Sequence, residues 1–104
     1  MNKEVRWHQL ATNDYFSIVA WYTDEAGDKV AERFVRSLRE TEDRISRNPG
    51  LGPTSFTYGA SKQATIHGAE DGLPYLVFYL DLEEHIEIVR VLHERRDFPG
   101  QLQD

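Results

Sequence analysis

A chain of 104 residues with 39% hydrophobic and 29% charged side chains has the balance of one globular domain, residues 1–104, with a small core. The absence of cysteine excludes a disulfide framework and any thiolate metal site. A net charge of −6, concentrated in residues 62–104, argues against broad phosphate-backbone binding, so a protein target is expected before a nucleic acid.

Val5 and Trp7 alternate with Glu4, Arg6 and His8, the period-2 pattern of a first strand over residues 4–8. Thr12-Asn13-Asp14 offers N-cap chemistry, and Ala11, Tyr15, Ile18, Val19 and Tyr22 recur at helical steps. This predicts a helix of about three turns ending near Gly27, where a left-handed residue costs little. From Asp28 to Arg47, Ala31, Phe34, Leu38, Thr41 and Ile45 form one apolar stripe, which predicts a second helix paired with the first as a hairpin. Asn48-Pro49-Gly50 ends it, and residues 48–61 read as a loop.

Residues 62–66 are a weak strand candidate, followed by turn residues Ala69-Glu70-Asp71-Gly72. The run Pro74-Tyr75-Leu76-Val77-Phe78-Tyr79-Leu80 is a strong strand. A short turn at residues 81–84 joins it to residues 86–93, so these two strands form an antiparallel hairpin. Pro99 and Gly100 limit any terminal helix to about one turn. The order is β-α-α-β-β-β, an α+β fold with the helical hairpin on one face of an antiparallel sheet and the first strand at or beside the hairpin of strands.

Residues 75–80 are far short of the ~20 apolar residues a membrane helix needs, and Met1-Asn2-Lys3-Glu4 lacks a signal-peptide apolar region, so a cytoplasmic protein is expected. His8, His67, His85 and His93 have no ligand spacing, and no cofactor or metal is expected. Arg90, in an apolar strand, either meets a target or pairs with an acid such as Glu87 or Asp97. His93 is either a proton carrier or a histidine hydrogen-bonded to nearby backbone.

Three pieces carry a family resemblance: the Val5-Arg6-Trp7 strand, the two helices ending before Asn48-Pro49-Gly50, and Tyr75-Leu76-Val77-Phe78-Tyr79 followed by Arg90-Val91-Leu92-His93, Arg95-Arg96-Asp97 and Pro99. Over nearly its whole length the chain resembles the RelE/ParE superfamily of bacterial type II toxins, and within it the ParE branch. The resemblance implies a growth-inhibiting toxin that acts on DNA gyrase, neutralised by a cognate antitoxin in a hetero-oligomer. RelE-like members instead cut mRNA on the ribosome and usually carry several cationic residues in the sheet. Here Lys62 is the one Lys or Arg between Asn48 and Val89, which favours a non-catalytic inhibitor. The ribonuclease alternative would rest on Arg90 and His93, and a third reading is an inactive relative that only binds antitoxin. The resemblance gives Arg90, His93, Arg95, Arg96 and Asp97 as target-contact candidates. Trp21, off the first helix's main stripe, is a candidate antitoxin anchor. Tyr22, Phe34, Tyr75 and Tyr79 are candidates for the same groove or for plain core packing.

Overall fold

The computed structural model describes residues 2–50, 54–58, 62–69 and 71–97, and side chains at all of these except 54–58 and 62–64. Its elements run β1 (Glu4–Trp7), α1 (Gln9–Ala26), α2 (Asp28–Arg47), β2 (Thr54–Tyr58), β3 (Lys62–Gly68), β4 (Tyr75–Asp81), β5 (His85–His93) and a one-turn α3 (Glu94–Asp97). The five strands lie in the order β1-β5-β4-β3-β2. The class is the α+β one read from the sequence, with two differences.

The first is β2, which falls inside the stretch read as loop. Its Thr, Phe and Tyr suit a strand, but at five residues flanked by Gly and Pro it carries no alternation that would reveal it. Residues 51–53 and 59–61 of that stretch lie outside the described residues, as do Glu70, Pro99 and Gly100. The second is strand direction: β1 pairs parallel to β5, Val5 opposite Ile86 and Trp7 opposite Ile88, so the sheet is mixed. The long crossover through both helices permits this pairing, and a period-2 pattern carries no direction.

The helix α1 starts earlier than Thr12-Asn13-Asp14 suggested, because its start is set by where β1 leaves the sheet. The His8 N–H still donates to the Ile88 carbonyl at 2.9 Å, extending the ladder. Its Nδ1 then accepts the Leu10 N–H at 3.1 Å, making His8 the N-cap. One residue, Gly27 at φ 92°, ψ 171°, joins α1 to α2. That conformation is nearly closed to side-chain-bearing residues, and it lets the two helices fold back on each other. All five stripe residues of α2 are buried.

Hairpin and sheet meet in one apolar cluster: Ala11, Ile18 and Tyr22 of α1, Ala31, Phe34, Leu38 and Ile45 of α2, and Tyr75, Val77, Tyr79, Ile86, Ile88 and Val91 of the sheet. The Tyr75 hydroxyl lies inside it, 2.8 Å from Ser37 Oγ and 2.9 Å from Thr41 Oγ1, which ties α2 to β4. Burial pushes its pKa up to about 12. On the opposite face Phe78, Leu80 and Val89 form a second cluster with Ile66, Leu76 and Leu92.

A register shift positions everything that follows. Phe78 pairs with Arg90, but Tyr79 pairs with Ile88, so Val89 is an extra residue, a β-bulge. Strict alternation from Ile86 and Ile88 would put Arg90 and Leu92 against the helices. The bulge instead turns Val91 and His93 inward.

Candidate functional site

Beyond Trp7, β5 loses its neighbour β1, and its N–H groups there need other acceptors. Two carboxylates supply them. Asp14 of α1 accepts the Val91 N–H at 3.0 Å, and Asp97 of α3 accepts the His93 N–H at 2.6 Å. This part of the edge is therefore closed to strand addition from another chain.

The same Asp14 binds Arg90 in a two-point contact, Nε to Oδ2 at 2.7 Å and Nη2 to Oδ1 at 3.0 Å. The hydrogen bond to Asp14 raises the Arg90 pKa. The acid partner is thus on α1, 76 positions away, and not Glu87 or Asp97 as the local sequence suggested. Nothing in the spacing of residues 86–97 pointed to it.

His93 is only 1% exposed. Its Nδ1 accepts the N–H groups of Arg95 and Arg96 at 3.2 and 3.3 Å, and its Nε2 lies 2.7 Å from the Tyr22 hydroxyl. Two N–H donors at Nδ1 require that nitrogen to be an acceptor, so the proton sits on Nε2 and is donated to Tyr22. Burial lowers the ring's pKa, and the neutral form is the one that fits. The rings of Trp21 and Tyr22 flank it, with centroids 4.7 and 5.1 Å away. Of the two readings, backbone hydrogen bonding is the one in place: His93 is the N-cap of α3, as His8 is of α1.

Around this cap the other target candidates gather. Arg95 is exposed at the rim of a cleft shared with Trp21, Glu25 and Pro74. Arg96 is partly buried, reaching the Ser17 hydroxyl of α1 and, at 3.3 Å, Asp97. The fold thus brings Arg90, His93, Arg95, Arg96 and Asp97 to one corner, with Arg95 the exposed arginine of the three and in no ion pair with another of the described residues.

The five antitoxin candidates separate. Phe34, Tyr75 and Tyr79 are at most 1% exposed and Tyr22 is 6% exposed; all four are core residues, so the groove reading of them gives way to packing. A stripe read from one helix shows which face is apolar but not whether a sheet covers it. Trp21 alone keeps accessible surface, on the cleft beside Arg95.

The outer seam of α1 and α2 carries an apolar surface whose residues were not among the site candidates. Trp7, Tyr15, Phe16, Val19 and Val35 line a trough along it, and Phe16 is 65% exposed. A large aromatic on the solvent side of an amphipathic helix was the available signal. The end nearest Trp7 encloses about 290 Å³, room for one or two side chains of a partner. Arg39 and Glu42 flank that end, Glu42 accepting the Trp7 Nε1–H at 2.8 Å; Asp28 and Glu32 flank the end near Gly27, and Arg36 lies between. Among the described residues no group of three or more His, Cys, Asp or Glu could hold a metal, and no helix is long and apolar enough to cross a membrane.

The family model for the ParE toxin of the type II toxin-antitoxin system, parDE, matches residues 5–98. No curated protein sequence matches the chain significantly. Among solved structures, the chromosomal ParDE toxin-antitoxin system from P. aeruginosa is similar at TM-score 0.72 and 20% identity, over 88% of this chain and 95% of that one. The E. coli DinJ-YafQ toxin-antitoxin complex is similar at TM-score 0.56 and 12% identity, over 94% and 99%. A conserved hypothetical protein from Helicobacter pylori gives TM-score 0.52 and 14% identity, over 89% and 94%. At these identities the structures share the fold.

Proposed function

Because the chain belongs to the ParE toxin family of type II toxin-antitoxin systems, we propose that it arrests growth by binding DNA gyrase, without catalysis of its own, and is silenced by a cognate antitoxin. The observation that supports this most is the engagement of the two residues a ribonuclease would need. His93 is buried with both ring nitrogens hydrogen-bonded, and Arg90 is held by Asp14. A general acid or base must reach its substrate, and an arginine that stabilises a phosphate must be free to turn to it. Buried His93 fails the first condition, and Arg90, though 42% exposed, must leave Asp14 to meet the second, which favours a surface that binds over a site that cleaves.

On this reading the target meets the corner built by α3, with Arg95 and Arg96 as contacts and His93, Asp97 and Arg90 holding the corner in place. The antitoxin covers the α1–α2 trough, anchoring on Phe16 and Trp7, while Trp21 lines the separate cleft beside Arg95. An amphipathic helix with acids facing Arg36 and Arg39 and a base facing Asp28 and Glu32 fits the charge pattern. The P. aeruginosa ParDE structure supports a dedicated antitoxin partner. The place of action is the cytoplasm, where gyrase works.

The test adds antitoxin-free protein to gyrase, ATP and supercoiled plasmid and measures linear DNA after detergent and protease. Accumulated linear DNA is expected, and prior addition of antitoxin abolishes it. Ribosome-dependent mRNA cleavage lost in Arg90→Ala, or folded protein inert in both assays, refutes the proposal.

A further inference from the structure

Two features of α3 are unusual for so short a turn: its N-cap is a buried histidine, and the cap is reciprocal. Nδ1 of His93 takes the N–H groups of Arg95 and Arg96 while Asp97 takes the N–H of His93. The Glu94 N–H donates to the Pro74 carbonyl at 2.8 Å, and Arg96 reaches Ser17. A four-residue helix makes too few bonds of its own to persist, so these attachments decide whether the turn exists.

We propose that His93 is the positioning residue of α3, holding Arg95 and Arg96 in place only as the neutral Nε2–H tautomer, and that a proton taken up on Nδ1 releases the helix. The importance of α3 to the target rests on the proposed function above; the latch itself does not.

The chemistry is a change of donor for acceptor. Neutral Nδ1 offers a lone pair to two N–H groups; once protonated it is a third donor facing them, and all three lose their bond. Nε2–H keeps its bond to Tyr22 in both forms, so the ring has no reason to flip and escape the conflict. The groups facing it come from three elements. On α1 are Tyr22 and, at the rim of the cleft, Glu25; on β4 is Tyr75, opposite His93 in the ladder. On α3 are Glu94, Arg95, Arg96 and Asp97. Burial opposes a charged ring most strongly, Asp97 favours it, and Arg95 and Arg96 oppose it. The latch is therefore closed at neutral pH and opens on acidification.

The test uses the full chain, 15N-labelled, at pH 7.5 and then stepwise to pH 4.5. Long-range 15N–1H spectra are expected to show His93 protonated on Nε2 at pH 7.5. On charging the ring, exchange of the Arg95 and Arg96 amides should rise about 5-fold, the equivalent of losing a side-chain cap worth ~1 kcal/mol. His93→Asn, which places an oxygen near the position of Nδ1 and does not titrate, should hold α3 with no acid response. A proton on Nδ1 at pH 7.5, or acid loosening of α3 in His93→Asn equal to that of the wild type, overturns the proposal. Gyrase cleavage by the same two proteins separates the readings. If His93→Asn behaves as stated but the wild type produces no linear DNA, the target assignment fails and the latch stands.

Discussion

Replacing Asp14 tests whether the corner is held by a charge pair or by an edge hydrogen bond. Its side chain is 13% exposed, whereas that of Arg90 is 42% exposed. Loss of the carboxylate leaves Arg90 free to reach water, so the ion pair alone is worth about 0–1 kcal/mol. The Val91 N–H is different, since β1 has ended and the Asp14 carboxylate is what it donates to on that edge. Leaving it unsatisfied costs roughly 1–3 kcal/mol. Alanine is the better helix former at this position of α1, which offsets about 0.5 kcal/mol. Asp14→Ala should therefore destabilise by about 2 kcal/mol net, seen in urea unfolding as a midpoint lower by about 1 M with unchanged slope. Asp14→Asn keeps an oxygen for Val91 and should lose about 1 kcal/mol or less, and Arg90→Ala about the same. If Asp14→Ala costs under about 0.5 kcal/mol, or Asp14→Asn costs as much as Asp14→Ala, the edge N–H is not what Asp14 secures.

Alkaline stability should reflect Tyr75. Its folded pKa of about 12 lies above the ordinary value of 10.0, so the stability it contributes is complete below pH 10 and lost as pH rises from there through about 12. Tyr75→Phe should flatten that decline in urea midpoints between pH 9 and 11, at a cost of about 1 kcal/mol at pH 7; an unchanged alkaline slope would count against it. Phe16→Ser should leave thermal stability within about 0.5 kcal/mol because the ring is already exposed, yet weaken antitoxin binding at least ~30-fold by calorimetry. Arg39→Glu should weaken it by a smaller factor that shrinks as salt is raised, and equal affinity in both variants would move the antitoxin off the trough. Gly27→Ala meets no atom within 4 Å, so any loss is pure backbone strain, about 1–3 kcal/mol in unfolding experiments.

The amphipathic stripe of α2, the apolar run of β4 and the glycine between the helices were legible in the chain because each is a local pattern. Side-chain spacing fixes which face of an element is apolar, and that was enough for the class, the helical hairpin and the strand hairpin. It also flagged residues 90–97 as one neighbourhood. The extra residue at Val89 shows where local reasoning ends. Whether His93 faces the core or solvent depends on the register of β5 against β4, which depends on the pairing of two whole strands. Asp14 read as a cap for its own helix and became the partner of Arg90, because where α1 begins is decided by where β1 stops pairing with β5. Phe34, Tyr75 and Tyr79 looked alike as groove or core candidates until the sheet was laid against the hairpin and buried them. The sequence by itself determined the elements and their apolar faces, since these follow from backbone periodicity. Tertiary structure alone decided which polar groups were left without a partner at an element's end, and so which side chains were drawn in to satisfy them.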